Sequence, residues 1–138
     1  ASRRPSAVAE ADAADESGDV VRRAFPHPWE LARSALGLGE HDLAIADYTA
    51  AIRLDGENSR AYFNRGLART NKGEFERAIT DFNQAIKLSP RDAEAYASRG
   101  AAYEELGNDA AAKADYRRAL QIDPDHEEAK EGLARLNE

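Results

Sequence analysis

The 138-residue sequence contains no cysteine and no methionine, one tryptophan and three histidines. Without cysteine there can be no disulfide, no thiolate metal site and no thiol nucleophile. The chain begins at Ala1 rather than Met, which suits removal of an initiator Met and equally cleavage after a secretory signal. The compartment is therefore open, cytoplasmic or exported, with a soluble protein expected in either case. No stretch approaches the ~18 apolar residues of a membrane span. Positive charge is scarce, with 19 Lys and Arg against 26 Asp and Glu and a net charge of −7. Nucleic acid requires a clustered Lys/Arg stripe to neutralise its phosphates, and an anionic bilayer attracts clustered basic residues, so neither is an expected partner. What remains is an acidic, well-solvated chain long enough for one domain.

What is present is a repeat. Gly39, Gly73 and Gly107 recur at an interval of 34 residues, as do Ala44, Ala78 and Ala112. Asp47, Asp81 and Asp115 keep the same interval, followed by Tyr48, Phe82 and Tyr116, then Ala51, Ala85 and Ala119; Pro90 and Pro124 close two copies. In the middle copy, Tyr62, Gly66 and Arg69 lie on one side of a first helix. Ala78, Phe82, Ala85 and Ile86 lie on one face of a second. Small residues permit a close crossing, Gly66 against Ala78 and Ala85, and Gly73 tolerates the reversal between the helices. Pro90 cannot continue the second helix. One such hairpin cannot bury its apolar face alone and must stack on its neighbours. These residues resemble the tetratricopeptide repeat (TPR) family over roughly Pro28 to Pro124, about two thirds of the chain.

The resemblance and the spacing together imply an all-α protein: a right-handed superhelical array of three helix-turn-helix repeats with a C-terminal capping helix. Residues 1–24 form a leader, rich in Ala, Asp, Glu, Ser and Arg and without aromatics. It reads either as a flexible segment or as a short helix begun at Ser6 and ended by Ser17-Gly18-Asp19. The repeats occupy 25–58, 59–92 and 93–124. The first is the most divergent, with Ala32 where the others carry Gly66 and Gly100, and Gly56 in place of the closing Pro. Its helices are expected over about Pro28–Leu38 and His41–Leu54. Asp92 is the expected N-cap of the third repeat, whose second helix spans about Asp109–Ile122. Over 125–138, Asp125 and Glu128 form a D-x-x-E capping arrangement before a final helix of about Glu127–Leu136. The expectation is seven helices and no strands.

Catalytic patterns are missing. His27, His41 and His126 are dispersed without a second ligand at a metal-binding spacing, so each reads as a surface or capping residue. The glycines sit singly rather than in a phosphate loop, and neither G-x-S-x-G nor S-x-x-K occurs. Asp47, Asp81 and Asp115 recur with the repeat and read as structural or solvated. No cofactor, metal or enzymatic activity is expected.

Binding is a different matter. In TPR proteins the first helix of each hairpin lines a concave groove. That resemblance assigns Trp29, Glu30, Arg33 and Leu36 to the groove from the first copy. The second supplies Arg60, Phe63, Asn64, Leu67, Thr70 and Asn71, and the third Glu94, Ala97, Ser98, Ala101, Glu104 and Glu105. Phe25, Trp29 and Phe63 are the aromatics left over from the packing pattern, hence candidate anchors; Phe25 and Trp29 read equally as seals on the open edge of the first repeat or as a hold on the leader. Asn64 reads as a donor and acceptor for a peptide backbone, or as a solvated amide. Arg33 and Arg60 make one end positive and Glu94, Glu104 and Glu105 the other negative, suiting a ligand with acidic and basic ends or an acidic peptide over the first two repeats. The two-carboxylate clamp of co-chaperone TPR domains (Lys, Asn, Asn, Lys, Arg) maps onto Trp29, Arg33, Asn64, Glu94 and Ser98. Only Asn64 matches, which argues against clamp-type chaperone binding. The reading is a non-enzymatic adaptor or scaffold for a peptide segment or helix. Its alternative is a self-associating module, a homo-oligomer formed through the leader or the open first repeat.

Overall fold

The computed structural model describes residues 39–137, and the account below concerns the unit Glu40–Glu138. The leader, Phe25, the helix expected over Pro28–Leu38, Trp29 and Arg33 lie outside the described residues. Within them the chain forms helices only: α1 Glu40–Leu54, α2 Ser59–Asn71, α3 Phe75–Leu88, α4 Ala93–Glu105, α5 Asp109–Ile122 and α6 Glu127–Leu136.

The helix starts carry the repeat interval. Asn58 caps α2 by accepting from the Ala61 N–H, and Asp92 caps α4 by accepting from Glu94 and Ala95. The residue in the same register before α6 is His126, whose Nδ1 accepts from the Ala129 N–H at 3.2 Å. The D-x-x-E cap expected at Asp125 and Glu128 is therefore not the one used. Asp125 instead donates its N–H to the Asp123 carboxylate at 3.1 Å. The two hairpins that lie wholly within the described residues, α2–α3 and α4–α5, reverse at glycines with positive φ, 81° at both Gly73 and Gly107, where a Cβ would strain the backbone.

Inside the hairpins, alanines bring the helices close and one aromatic fills each crossing. Phe82 of α3 and Tyr116 of α5 are essentially inaccessible, and burying such a ring stabilises by roughly 1.5–3 kcal/mol. Gly66 of α2 lies against Phe82, and Gly100 of α4 against Tyr116: an added Cβ would come within 2.6 Å and 3.0 Å of the rings. Gly132 of α6 covers the other side of Tyr116, at 2.5 Å. Thus α6 packs as the first helix of a further repeat would, with Ala129 fully buried in the register of Ala61 and Ala95.

A second set of contacts ties each repeat to the one before it. Arg65 on α2 donates Nε and Nη2 to the Asp81 carboxylate at 3.0 and 2.8 Å, and Nη1 to Thr49 on α1 at 3.1 Å. Arg69 adds a bond to Asp81 at 2.9 Å. The pattern recurs one repeat on, where Arg99 grips Asp115 and reaches Asn83 on α3. Asp81 and Asp115 are buried, so these charges are desolvated and held by paired geometry. Asp47 on α1 is exposed, and the residue 34 positions before Arg65 is Leu31.

Candidate functional site

Helices α2 and α4 touch, as do α4 and α6. With a common repeat interval they set equivalent side chains next to one another. Arg60, Glu94 and Glu128 make one row; Asn64, Ser98 and Gly132 the next; then Leu67, Ala101 and Arg135; then Asn71 and Glu105. The spacing i, i+4, i+7, i+11 keeps these positions on one stripe of each helix. Arg60, Asn71, Glu94, Glu105, Glu128 and Arg135 are exposed; Asn64, Leu67, Ser98 and Ala101 are half-buried.

The face is indented towards the C-terminal ends of α2, α4 and α6. A depression of ≈ 380 Å³ is lined by Thr70, Phe75, Ala101, Glu104, Glu105 and Arg135. On its wall, Arg135 donates Nε and Nη2 to the Glu104 carboxylate at 2.6 and 2.9 Å, and the Tyr116 hydroxyl donates to it at 2.8 Å. The Arg135 bonds hold the Glu104 carboxyl below its ordinary range. Burial, and then the bond to Glu104, push the Tyr116 phenol well above its own. Glu104 is thus committed to fastening α6 rather than free for a ligand, and Glu105 has no ion-pair partner among the described residues.

The expected groove residues divide accordingly. Phe63 is a correction: it is only 6% exposed, belongs to the core with Ala78 and Phe82, and stands 5.8 Å ring to ring from Phe82. The Arg60 guanidinium covers its ring at 4.8 Å. Position 63 faces the neighbouring helix rather than solvent, and the slot's next occupant, Ala97, is fully buried too. Ala97 is corrected with it. Arg60 is exposed but leans towards Asp92 at 3.9 Å. Asn64, Leu67 and Ser98 remain on the face, Leu67 partly packed on the core. Glu128 and Arg135 are face residues absent from the groove expected from sequence; their registers with Arg60 and Glu94, and with Leu67 and Ala101, were the available signal.

At the opposite end of the face, Glu94, His126 and Glu128 bring ligand-type atoms within 4.8 Å of one another. Their hydrogen bonding does not fit a metal. Because Nδ1 of His126 accepts the Ala129 N–H, the ring proton sits on Nε2, which donates to Glu94 at 2.7 Å. The nitrogen that faces the carboxylates has no lone pair to offer.

Sequence profiles described as tetratricopeptide repeat match residues 30–83 and 93–126, and one described as TPR repeat matches 66–107. The chain belongs to the tetratricopeptide-repeat family. Among solved TPR structures, the Arabidopsis OM64 TPR domain is 34% identical, with 76% of this chain and 85% of that one covered and a TM-score of 0.69. The first TPR of Spaghetti (RPAP3), bound to the HSP90 peptide SRMEEVD, is 32% identical, covering 78% and 86%, with a TM-score of 0.70. The second TPR domain of human RPAP3, in complex with the HSP70 peptide SGPTIEEVD, is 31% identical, covering 78% and 88%, with a TM-score of 0.69. No curated protein matches the chain. Among the described residues of this TPR protein, no helix is long and apolar enough to cross a membrane.

Proposed function

We propose that the chain is a non-enzymatic adaptor that binds a peptide segment of another protein across the face formed by α2, α4 and α6. The observation that carries this is a contrast within one fold. On α2 and α4, Ala61, Phe63, Ala95 and Ala97 are spent on the core, whereas Asn64, Leu67, Ser98 and Ala101 remain only half-buried on another stripe of the same helices, with Ala101 lining the ≈ 380 Å³ depression. That two TPR relatives were solved with peptides supports the class of ligand. Asn64 and Ser98 would hydrogen-bond the ligand backbone, which fixes an extended segment without reading its side chains. Leu67 would add a modest apolar contact.

A two-carboxylate clamp is not part of this proposal, because Glu94 occupies the slot where a carboxylate would need a cation. Selection of a random peptide library on the immobilised full chain tests the reading. Enriched peptides should lose binding to Ser98→Trp, which fills the face, and to Asn64→Ala, while Arg117→Ala on the exposed side of α5 leaves them bound. Peptides indifferent to Ser98→Trp, or no enrichment at all, would sink it. The competing reading, self-association, demands a light-scattering mass that rises with concentration.

A further inference from the structure

We infer that the ligand of this face is a basic segment, with two positive side chains about five residues apart. The inference rests on the peptide-binding reading above and adds the ligand's chemistry. Three exposed carboxylates stand on the stripe. Glu94 and Glu128 lie side by side at the start of α4 and α6, and Glu105 stands at the far end of α4. The nearby cations are already engaged. Arg135 is committed to Glu104 at 2.6 Å, and Arg60 leans over Phe63 and towards Asp92. His126 donates a neutral Nε2–H to Glu94, which leaves the negative charge in place. Glu105 and Glu128 have no ion-pair partner among the described residues.

Along the stripe between Glu94 and Glu105 lie Ser98 and Ala101, and the depression opens beside Ala101 and Glu105. Glu94 and Glu105 are separated by eleven residues of helix, about 16 Å at 1.5 Å per residue. An extended chain covers that distance in about five residues. Like charges along this path would repel an acidic segment such as SRMEEVD and steer in a basic one.

The test titrates the full chain, ¹⁵N-labelled, with two acetylated peptides: SRMEEVD and SRMKKVK-amide, in which lysines replace the three acidic residues and whose arginine and last lysine are five positions apart. The basic peptide is expected to shift the amides of Ser98, Ala101 and Glu105 and to lose about tenfold in affinity in Glu105→Lys/Glu128→Lys. Glu76→Lys/Asp109→Lys, an equal charge change off this face, should change affinity by less than about twofold. An equal loss in both variants would mean bulk attraction to an acidic protein and overturn the inference. So would tighter binding of SRMEEVD at the same amides, with the peptide-binding reading intact. If neither peptide moves those amides while library-selected peptides do, the charge assignment alone fails. If no peptide of either kind touches the face, both fail.

Discussion

The Arg99 guanidinium meets the Asp115 carboxylate edge to edge, Nε to Oδ2 at 2.8 Å and Nη2 to Oδ1 at 2.7 Å. Its remaining nitrogen reaches back to Asn83 of the preceding repeat at 2.8 Å. One side chain therefore closes its own hairpin and fixes the position of the hairpin before it.

The three repeated aspartates should differ sharply in cost. Asp81→Ala strands Arg65 and Arg69 with buried charge and should destabilise by about 3–5 kcal/mol. Asp47→Ala, at the same repeat position but exposed, should cost less than about 0.5 kcal/mol. Urea midpoints at unchanged m-value read the difference. Equal costs would mean that the paired geometry contributes nothing beyond the position itself.

Gly132→Ala should destabilise although alanine is the better helix former by about 1 kcal/mol. The new Cβ would lie 2.5 Å from the Tyr116 ring, which Gly100 hems in from the other side. Overpacking of this kind costs about 1–3 kcal/mol. Tyr116→Leu in the same chain should recover part of the loss. A stabilised Gly132→Ala in thermal melts would show that α6 shifts freely against α5.

The Glu104–Arg135 contact predicts an acid-sensitive attachment of α6. Glu104 titrates below its ordinary value of 4.5 when folded, first because Arg135 bonds its carboxylate. A depressed folded value contributes stability that is complete above the unfolded value and disappears as pH falls through the folded one. Arg135 is 57% exposed, so solvent screening keeps the contribution under about 1 kcal/mol. Arg135→Gln should lower the melting temperature near about pH 6, and the gap should shrink as pH falls below the ordinary carboxylate range. A gap constant with pH would assign the loss to packing of the arginine stem.

The array and its helices were legible because they depend on residue size at fixed intervals. Gly66 and Gly100 admit Phe82 and Tyr116, and any substitute at either position would break the pattern. Helices α5 and α6 span the residues expected of them for the same reason. The face was read less well, since pattern membership does not give direction. Phe63 looked surplus to the packing pattern, yet it fills the space beside Phe82, and a buried Ala97 one interval later was the clue. His126 reads from sequence as a surface or capping residue, but the D-x-x-E pattern drew the cap of α6 to Asp125, because histidine is outside the usual capping set; the register with Asn58 and Asp92 points to His126. The recurrence of aspartate was visible, but its partners Arg65 and Arg99 sit on a different helix, sixteen residues away.

Because each arginine reaches one hairpin backwards and finds its carboxylate within its own hairpin, the connection is self-contained. A tandem duplication of residues 59–92 would arrive with its own arginine and aspartate, and the arginine would meet the Asn83 already in place, as Arg99 does now. On α6 the same slot behaves differently: Leu133 occupies the position held by Arg65 and Arg99, and packs against the core instead. A change in length by whole units would therefore leave these contacts intact.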